Sequence, residues 1–515
     1  MNLWEKNLVI LIIGFLIQGI SYAEGLRNAD QPVPSETYVK SLFSLPLTLD
    51  PVQMNDGASL VVGNLIYDGL LKFSPTLKLE SAIAESWSTS KDGKTLIFKI
   101  RENAKFHDGT KIKAEDVVAS LMRALSPESK VRKYFDCILG ADEKSGVAGG
   151  SLIGLTAIDQ HTLQIILKYS FPPFLSVLAG ATAKILPKKY LSNPEFFKNP
   201  VGSGAFKYSE INIDKKEMSV VAFPEYYGGI PKLSKIILKE SSEVDAISAA
   251  TSGEIQDLAN WPLTSSNKIF LIGKKFSSPV ASTWIIGINT TKKPFNDLKT
   301  RQMFKASVNT EGFRLKFYPD ALPASGYIPH GLPGSQVKFN LGIKVIKPPQ
   351  NKITIIIPNE LAFAQEMKLF LESDLRKKGW NIEVVVMPWD KLIDGYNKKT
   401  HQAFLVSMNM DYPDAEFLLK NFESTSPDNF SGLKNKKLDL LLKATRRQQD
   451  RKKREALYLK ALKLTEESAV TINLFHPRAN YWISNCVAGF EPNILSDVYI
   501  DYSKVSLKSD CGERN

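Results

Sequence analysis

The sequence predicts an α/β protein built from more than one domain. Its 515 residues exceed what one hydrophobic core usually supports. In the second half, apolar β-branched runs such as "STWIIGINT", "NKITIIIP" and "NIEVVVMP" alternate with helical stretches, which is typical of an α/β lobe. The first half is richer in hairpin signals and has α+β character, and the pattern changes near residue 280.

Each predicted element of the first half has its own local sequence signal. "TYVKSLF" alternates as a strand does, and "ASLVVGNLIYDGLLKF" has apolar residues at helical spacing up to about Gly69. Asp92-Gly93 is a hairpin turn signal between "ESWSTS" and "KTLIFKIR". "AEDVVASLMRAL" is an amphipathic helix with Glu115 and Asp116 in its first turn, where acids suit the helix dipole.

The second half supplies the remaining helices. Between its strands lie "NDLKTRQMFKASVN" and "LAFAQEMKLFLESDLRKKG", which have helical composition and spacing. The densest basic run of the chain, "RRQQDRKKREALYLKAL", has Asp450 as a candidate N-cap and spaced leucines. We interpret it as a solvated helix face, so the net charge of +12 does not lead us to predict a nucleic-acid partner.

The N-terminus predicts export. Lys6 is followed by an apolar run over residues 8–20 and by Ser21-Tyr22-Ala23, which favours signal-peptide cleavage after Ala23. The run is shorter than the roughly 20 residues of a spanning helix, so a permanent anchor is the lesser alternative. No cysteine lies near the cleavage point to carry a lipid. We therefore expect a mature protein of the bacterial periplasm that begins with a polar lead-in over residues 24–35.

The three cysteines leave two interpretations open. Cys137, Cys486 and Cys511 are an odd number, which excludes a complete disulfide framework. One bridge between Cys486 and Cys511 suits an oxidising compartment. Free buried thiols are the equal alternative.

Catalytic and metal motifs are not found in the sequence. His107 and Asp108 are neighbours in an Asp-Gly turn, where their side chains point apart, so we interpret them as structural. None of the five histidines belongs to a zinc-binding helix motif, and no nucleophile elbow, P-loop or C-x-x-C pair occurs. "GSG" at 202–204 is too short for a nucleotide fingerprint. We predict neither enzymatic activity nor a metal site or cofactor.

One carboxylate stands at the end of a predicted strand. In "SMNMDYPDAEFLL", Asp411 precedes Tyr412, which must be extended because Pro413 follows. Strand ends at a crevice are where α/β lobes bind ligands, and a carboxylate in a closing cleft demands a cation. Alternatively, Asp411 or Asp414 caps the helix that follows. The residues alone do not choose between these two roles.

Several segments together resemble one family of proteins. They include "SAIAESWSTSKDGKTLIFKIRENAKFHDGTKIKAEDVVASLMRAL" at 81–125, "PVGSGAFKY" at 200–208, "MPWDKL" at 387–392, "DYPDAEFLL" at 411–419 and "INLFHP" at 472–477. In this order they resemble the extracellular solute-binding proteins of family 5, the dipeptide-, oligopeptide- and nickel-binding receptors of ABC importers. The resemblance runs from about residue 38 to 505.

The resemblance implies a two-lobed periplasmic-binding-protein fold of the type II-like class, cluster C. Lobe I would comprise residues 36–280 plus 480–510 and carry an extra subdomain at about 68–190. Lobe II would comprise 281–479. The crossing segments "SSPVAST" and "FHPRANY" would form the hinge.

The resemblance also implies a ligand site. Asp411 matches the aspartate that pairs with a peptide's α-ammonium group, and Asp414 is left as the helix cap. Further residues would contact the ligand backbone or line the pocket: Ser407, Asn409, Asn55, Asp56, Gly57, Trp389 and Trp284. For both tryptophans, core packing is the alternative. Met408 stands where the family has tryptophan, which alters the pocket and leaves ligand size open.

These expectations combine into one function. We expect a monomeric periplasmic receptor that captures short peptides between two lobes and delivers them to ABC transporter permease subunits in the inner membrane. The fold also hosts other solutes, so a nickel chelate, an opine, a sugar or a cell-wall peptide is the alternative ligand. An exported signalling or chaperone protein is the alternative from another class, and an exported peptidase would need a catalytic site.

Overall fold

The computed structural model describes residues 37–508 apart from 142–151, 260–262, 264–266, 333 and 336–347. The predicted signal peptide with its cleavage point after Ala23, the polar lead-in and Cys511 lie outside the described residues. Cys486 is disulfide-bonded, its pairing with Cys511 stays a prediction, and Cys137 is a buried free thiol. Within the described ranges, no helix combines the length and the apolar character needed to cross a bilayer.

The first sheet is mixed and four-stranded. The order is β1 (Thr37–Leu42), β10 (Lys235–Glu240), β9 (Glu217–Ala222) and β8 (Phe206–Asn212). β1 and β10 are parallel, and the other neighbours are antiparallel. Helix α1 (Gly57–Ile66) packs its buried face onto the same core. The strand predicted for "TYVKSLF" is confirmed.

Helix α1 ends earlier than its apolar pattern predicted. It stops at Ile66, because Tyr67 turns to extended backbone and its hydroxyl donates to the Leu49 carbonyl at 2.8 Å. The Gly204 N–H also binds the Ile66 carbonyl at 2.8 Å. The prediction of a helix up to Gly69 was therefore wrong by about one turn, because a distant loop supplies these contacts.

The second sheet is an antiparallel four-stranded unit. Its order is β4 (Ala84–Thr89), β5 (Thr95–Ile100), β7 (Thr162–Ile166) and β6 (Leu155–Ala157). Asp92-Gly93 closes the predicted hairpin, with Gly93 at φ +71° and Asp92 accepting the Lys94 N–H at 3.1 Å. Helix α2 (Ala114–Ala124) packs on β6 and β7. Next to this unit lie β2 (Leu71–Phe73), β3 (Leu79–Ser81) and the short α3 (Phe174–Leu178).

His107 confirms the structural interpretation of its turn. The ring accepts the Gly202 N–H at Nδ1 over 3.1 Å and donates from Nε2 to the Gly204 carbonyl at 3.0 Å. Burial lowers the pKa of His107 to about 4, so the ring is neutral. Asp108 instead pairs with Lys189 at 2.8 Å. The two side chains thus serve different partners and form no dyad.

The third sheet is six-stranded and carries the second half of the chain. Its order is β13 (Leu322–Pro323), β17 (Thr471–His476), β12 (Ser282–Ile288), β16 (Ala403–Asn409), β14 (Ile353–Pro358) and β15 (Ile382–Met387). β14 runs parallel to β15 and β16, and the other neighbours are antiparallel. We call this sheet with its helices lobe II and the other sheets with theirs lobe I.

The other helices are α4 (Glu243–Ser252), α5 (Leu298–Ser307), α6 (Thr310–Phe317), α7 (Ala364–Lys377), α8 (Trp389–Asn397), α9 (Glu416–Leu419), α10 (Lys436–Arg447) and α11 (Arg451–Ser468). The basic run forms α11 from Arg451 onward as predicted, whereas Arg446 and Arg447 end α10, and Arg446 pairs with the buried Glu416 and Glu423 instead of facing solvent. Asp450 is its N-cap and accepts the Lys453 N–H at 2.9 Å. Tyr458 and Leu462 are buried, whereas the lysines of the first turn are exposed, so the basic face is solvated.

The chain crosses between the lobes through two adjacent segments. β11 (Lys274–Pro279) pairs antiparallel with β18 (Arg478–Ile483), and the Val280 N–H binds the Pro477 carbonyl at 3.0 Å. β11 leads into β12, and β17 leads into β18, so both segments are continuous with strands of the six-stranded sheet. β19 (Val487–Ala488) and β20 (Ser506–Leu507) close the C-terminal segment. "SSPVAST" and "FHPRANY" lie at this crossing, where a hinge and the proposed lobe boundaries stay a prediction.

Candidate functional site

A cavity of about 640 Å³ lies between the lobes. This volume lies within the range of small-molecule sites. Lobe I contributes the start of α1, the 3₁₀ turn Arg132–Tyr134, the loop after α3 and part of the C-terminal segment. Lobe II contributes the end of β16 and the crossing at Val280. The polar side chains of the lining are Asn55, Lys130, Lys133, Tyr134, Thr182, Asn409, Asp411, Tyr412, Ser496, Asp497 and Tyr499.

Asp411 stands at the cavity wall where β16 ends. The Met410 N–H binds the Ala281 carbonyl at 2.9 Å, and the buried Tyr412 side chain anchors the chain on the other side. Asp411 between them is exposed and faces the cavity. Its carboxylate accepts the O–H of Tyr134. Among the described residues, no lysine, arginine or histidine forms an ion pair with it.

Tyr134 approaches Asp411 from the opposite lobe. Burial and the nearby Asp411 charge raise the pKa of the Tyr134 phenol above its ordinary value. The phenol is therefore protonated over the whole physiological range and donates to the carboxylate. Tyr499, also from lobe I, lies with its hydroxyl 3.4 Å from the Asp411 carbonyl oxygen. Two uncharged hydroxyl groups thus contact Asp411, Tyr134 at its carboxylate and Tyr499 at its main-chain carbonyl oxygen.

Asp414 has a separate, structural role. Its Oδ1 accepts the Glu416 N–H at 3.0 Å, at the start of α9, and also the O–H of Tyr458. Arg454 lies 3.8 Å away. Burial raises the pKa of Asp414 despite these partners. The two acids of "DYPD" therefore have different surroundings: Asp414 binds the start of α9, whose N-cap is Ala415, and Asp411 faces the cavity, where its ligand role stays a prediction.

Four of the predicted ligand residues meet at this cavity: Asp411, Asn409, Asn55 and Gly57. Asn409 and Asn55 are exposed and lie on opposite lobes. Gly57 begins α1, and a Cβ placed there would meet no atom within 4 Å, so the wall is open at that point. The lobe I segment after "LDP" and the end of β16 thus converge as the resemblance implied.

Asp56 does not line the cavity. It is the N-cap of α1, where its Oδ1 accepts the Ser59 N–H at 2.8 Å. Its Oδ2 is buried and has no hydrogen-bond partner among the described residues. Asp56 therefore caps the start of α1. Its sequence neighbours Asn55 and Gly57 line the cavity, and Asp56 does not.

Ser407, Trp284 and Trp389 also lie outside the lining. Ser407 and Trp284 are register partners on β16 and β12. Trp284 stacks on Tyr318 and Phe475 at ring distances of 5.9 and 5.8 Å, which is the core-packing alternative. Trp389 is the first residue of α8 and is 44% exposed away from the cavity.

Sequence reasoning missed several lining residues. Lys130, Lys133 and Tyr134 come from the turn after α2, and Tyr499 comes from the C-terminal segment. The three basic residues of "SKVRKY" were a visible signal. Nothing local indicates that this turn meets Asp411, which is 277 positions away from Tyr134.

Asp497 lines the same cavity but has a buried counter-ion. Lys40, which is fully buried, lies 3.8 Å from Asp497 and 3.4 Å from Asp257. Asp257 also accepts the Tyr502 O–H at 2.6 Å and the Ala259 N–H at 2.6 Å. Burial raises the pKa of Asp497, and the Lys40 charge opposes that rise. Asp497 therefore differs from Asp411, whose contacts are uncharged.

Comparisons with known proteins agree with this architecture. Residues 78–430 match the model of the bacterial extracellular solute-binding proteins, family 5 Middle. The glutathione-binding protein GsiB of Escherichia coli K12 is 29% identical over 361 residues, covering 66% of this chain and 67% of that protein.

Solved structures show the same two-lobed fold. The Escherichia coli murein tripeptide binding protein MppA aligns with a TM-score of 0.73 at 21% identity, over 92% of this chain and 99% of MppA. DppA from Helicobacter pylori, solved in complex with the peptide STSA, aligns with a TM-score of 0.73 at 24% identity, over 92% and 98%. The family model covers well over half of the sequence. The chain therefore belongs to the bacterial extracellular solute-binding proteins of family 5.

Proposed function

We propose that this protein is a periplasmic receptor of an ABC importer that captures short peptides between its lobes and delivers them to permease subunits in the inner membrane. The observation that carries the proposal is Asp411, an exposed carboxylate at the interlobe cavity that accepts the Tyr134 hydroxyl and, among the described residues, forms no ion pair. The similar proteins support it, since they are described as binding glutathione, a murein tripeptide and the peptide STSA.

A peptide N-terminus is the cation that suits this carboxylate. An α-ammonium group offers three donors, and a charge-assisted hydrogen bond is about twice as strong as a neutral one. When the lobes close, water leaves and an uncompensated carboxylate would cost several kcal/mol. The Tyr134 hydroxyl can donate to Asp411 and accept from the ammonium at once. The ligand would then bridge the lobes.

The neighbouring amides suit a peptide main chain. Asn55 and Asn409 each offer a donor and an acceptor from opposite walls of the cavity. Such contacts bind backbone groups and leave side-chain identity free, as in recognition by strand addition. The open wall at Gly57 leaves room for the chain to pass. This arrangement favours binding of peptides through their main chain, without selection of one particular side chain.

The capture mechanism is closure about the crossing of β11 and β18. Two adjacent segments that connect packed lobes are the usual site of hinge bending. A ligand that contacts both walls binds the closed form better, and the difference in affinity sets the shift in population. Micromolar binding, about −8 kcal/mol, is sufficient for such a shift.

The proposal includes three finer statements. The protein is exported with cleavage after Ala23, it acts as a monomer, and it binds its ligand without chemical change. N-terminal sequencing of the mature protein, size-exclusion chromatography with light scattering, and product analysis after incubation with peptides check them in turn.

Titration calorimetry with matched tripeptides tests the central proposal. Ala-Ala-Ala with a free N-terminus should bind in the micromolar range, and its N-acetylated form should bind at least about a hundredfold more weakly, since one partner of a desolvated charge pair is lost. Equal affinity for both would contradict the ammonium role of Asp411. Peptide uptake by a deletion strain, measured beside the complemented strain, separates transport from signalling or chaperone roles.

A further inference from the structure

The exposed charged side chains of the interlobe cavity are unequal in number. Lys130, Lys133, Asp411 and Asp497 are the lysine and carboxylate side chains that line it within the described part of the chain. Asp497 is only 17% exposed and shares the buried Lys40, which lies 3.8 Å from it, with Asp257 at 3.4 Å. Asp411 contacts the Tyr134 hydroxyl alone through its carboxylate. Among the charged side chains that line the cavity, the exposed ones are therefore two lysines and one carboxylate, Asp411.

Both lysines are exposed and have no carboxylate within ion-pairing distance in the described structure. Arg132, which lies between them in sequence, turns away and pairs with Asp136 at 3.6 Å. The Lys133 ammonium lies 5.3 Å from the ring centroid of Tyr134, whose hydroxyl binds Asp411. The segment 130–134 thus places two lysine ammonium groups beside the contact between Tyr134 and Asp411.

From this count we infer that the cavity selects a small peptide with one ammonium and two carboxylates, placing the ammonium at Asp411 and the carboxylates at Lys130 and Lys133. The inference rests on the proposed function and adds the charge class of the ligand. A simple zwitterionic peptide would leave one lysine without a partner. An acidic side chain supplies the second carboxylate.

Closure makes this charge balance matter. In the open state water solvates each lysine, and a surface charge contributes little. When the lobes close, an unmatched charge loses water without compensation, which penalises ligands of the wrong charge. The long flexible lysine stems let each ammonium reach a carboxylate without a fixed geometry. Charge would therefore be selected more strictly than shape.

Three peptides of equal length test the inference by titration calorimetry. Ala-Glu-Ala has one ammonium and two carboxylates, Ala-Gln-Ala has one of each, and the C-terminal amide of Ala-Gln-Ala keeps only the ammonium. We expect affinity to fall about tenfold at each step, because a hydrogen bond to a charged group is lost each time.

The variants Lys130→Gln and Lys133→Gln, singly and together, identify the residues responsible. In the double variant the three peptides should bind within about threefold of one another. Lys99→Gln, at an exposed position of β5 in the same lobe, is the matched control and should preserve the full preference. Equal thermal midpoints for the variants and the native protein establish that folding is intact.

The outcomes separate this inference from the proposed function. If Ala-Glu-Ala binds no better than Ala-Gln-Ala, or if the double variant keeps the preference, the inference is wrong. Continued discrimination against N-acetylated peptide would then leave the peptide-receptor proposal standing. If no tripeptide binds the native protein, both are overturned.

Discussion

At the residue scale, the proposed capture depends on Asp411 and Tyr134, which reach the same point from opposite lobes. Local sequence accounts for one of them. Asp411 could be predicted because β16 must end before Pro413 and because the segment resembles a known motif. Tyr134 could not, because its turn has no distinguishing pattern and its partner is remote in the chain.

We expect Asp411→Asn to lower affinity for a free tripeptide by about a hundredfold or more. The amide is nearly the same size but removes the negative charge that balances the ammonium after closure. Titration calorimetry measures the change. Asp390→Asn, at an exposed acid of α8 outside the cavity, is the control and should bind normally. Unchanged affinity in the Asp411 variant would contradict the proposed site.

Replacing Tyr134 by phenylalanine should have a smaller effect, of about tenfold or less. The ring and its packing stay, and one hydrogen bond to a charged group is lost from both the empty and the bound protein. Calorimetry of Tyr134→Phe beside Asp411→Asn provides the comparison. A loss as large as that of the aspartate variant would show that Tyr134, and not the charge, dominates binding.

Binding should weaken at alkaline pH because of the ligand. The α-ammonium of a peptide has a pKa of about 8, so the free ligand loses its charge above that pH and the dissociation constant should rise about tenfold per pH unit. The pKa of Tyr134 is raised, so the phenol keeps its proton there and adds no second loss. Constant affinity up to about pH 9.5 would contradict ammonium recognition.

At the element scale, a buried ion cluster holds the loop that carries Asp411. Arg446 of α10 binds Glu416 at 2.7 Å and Glu423 at 2.6 Å, and the Tyr412 hydroxyl binds Glu416 at 2.7 Å. Although burial opposes the charge, hydrogen bonding to Glu423 and the Glu416 charge hold the pKa of Arg446 above its ordinary value. The cluster connects α9 and α10 directly behind the cavity wall.

Arg446→Met should destabilise the protein by about 3–5 kcal/mol, because two buried carboxylates lose their cation. Denaturant unfolding followed by circular dichroism measures the loss. Arg451→Met is the matched control, since the exposed pair of Arg451 with Glu455 contributes at most about 0.5 kcal/mol. Equal stability of the two variants would mean that the cluster does not hold α9 and α10 together.

The sequence predicted the elements better than their ends. Caps are local, so Asp450 and the Asp92-Gly93 turn could be identified from a few residues. The end of α1 could not, since its last carbonyl is bound by Gly204 from a distant loop. The burial of Trp284 against Tyr318 and Phe475 likewise depends on where other elements pack.

At the scale of the whole molecule, the proposed mechanism couples ligand binding to the relative position of the lobes. The Tyr134–Asp411 contact and a 2.8 Å hydrogen bond from the Gln449 side chain to the Lys91 carbonyl join lobe II to lobe I away from the crossing strands. Buried apolar residues of both lobes, such as Phe174 and Leu418, also belong to one continuous cluster, so separating the lobes would expose apolar surface as well as break these hydrogen bonds.

Peptide binding should slow amide hydrogen exchange on both cavity walls together, over residues 130–134 and 409–412. The cause is closure, which removes both segments from water. Exchange in β5 and β7, on the hairpin sheet, is the internal control and should not change. Protection of one wall alone would indicate binding without closure.

The sequence by itself determined the α/β class, the family and most of the elements, because periodicity, turn chemistry and motif order are local or collinear with the chain. It also placed Asp411 at a strand end. Only the tertiary structure decided which residues share the cavity with that carboxylate: it brought in Lys130, Lys133, Tyr134 and Tyr499, and left Asp56, Ser407, Trp284 and Trp389 outside. The physical reason is that such a cavity forms where segments hundreds of residues apart pack, and no local pattern encodes that approach.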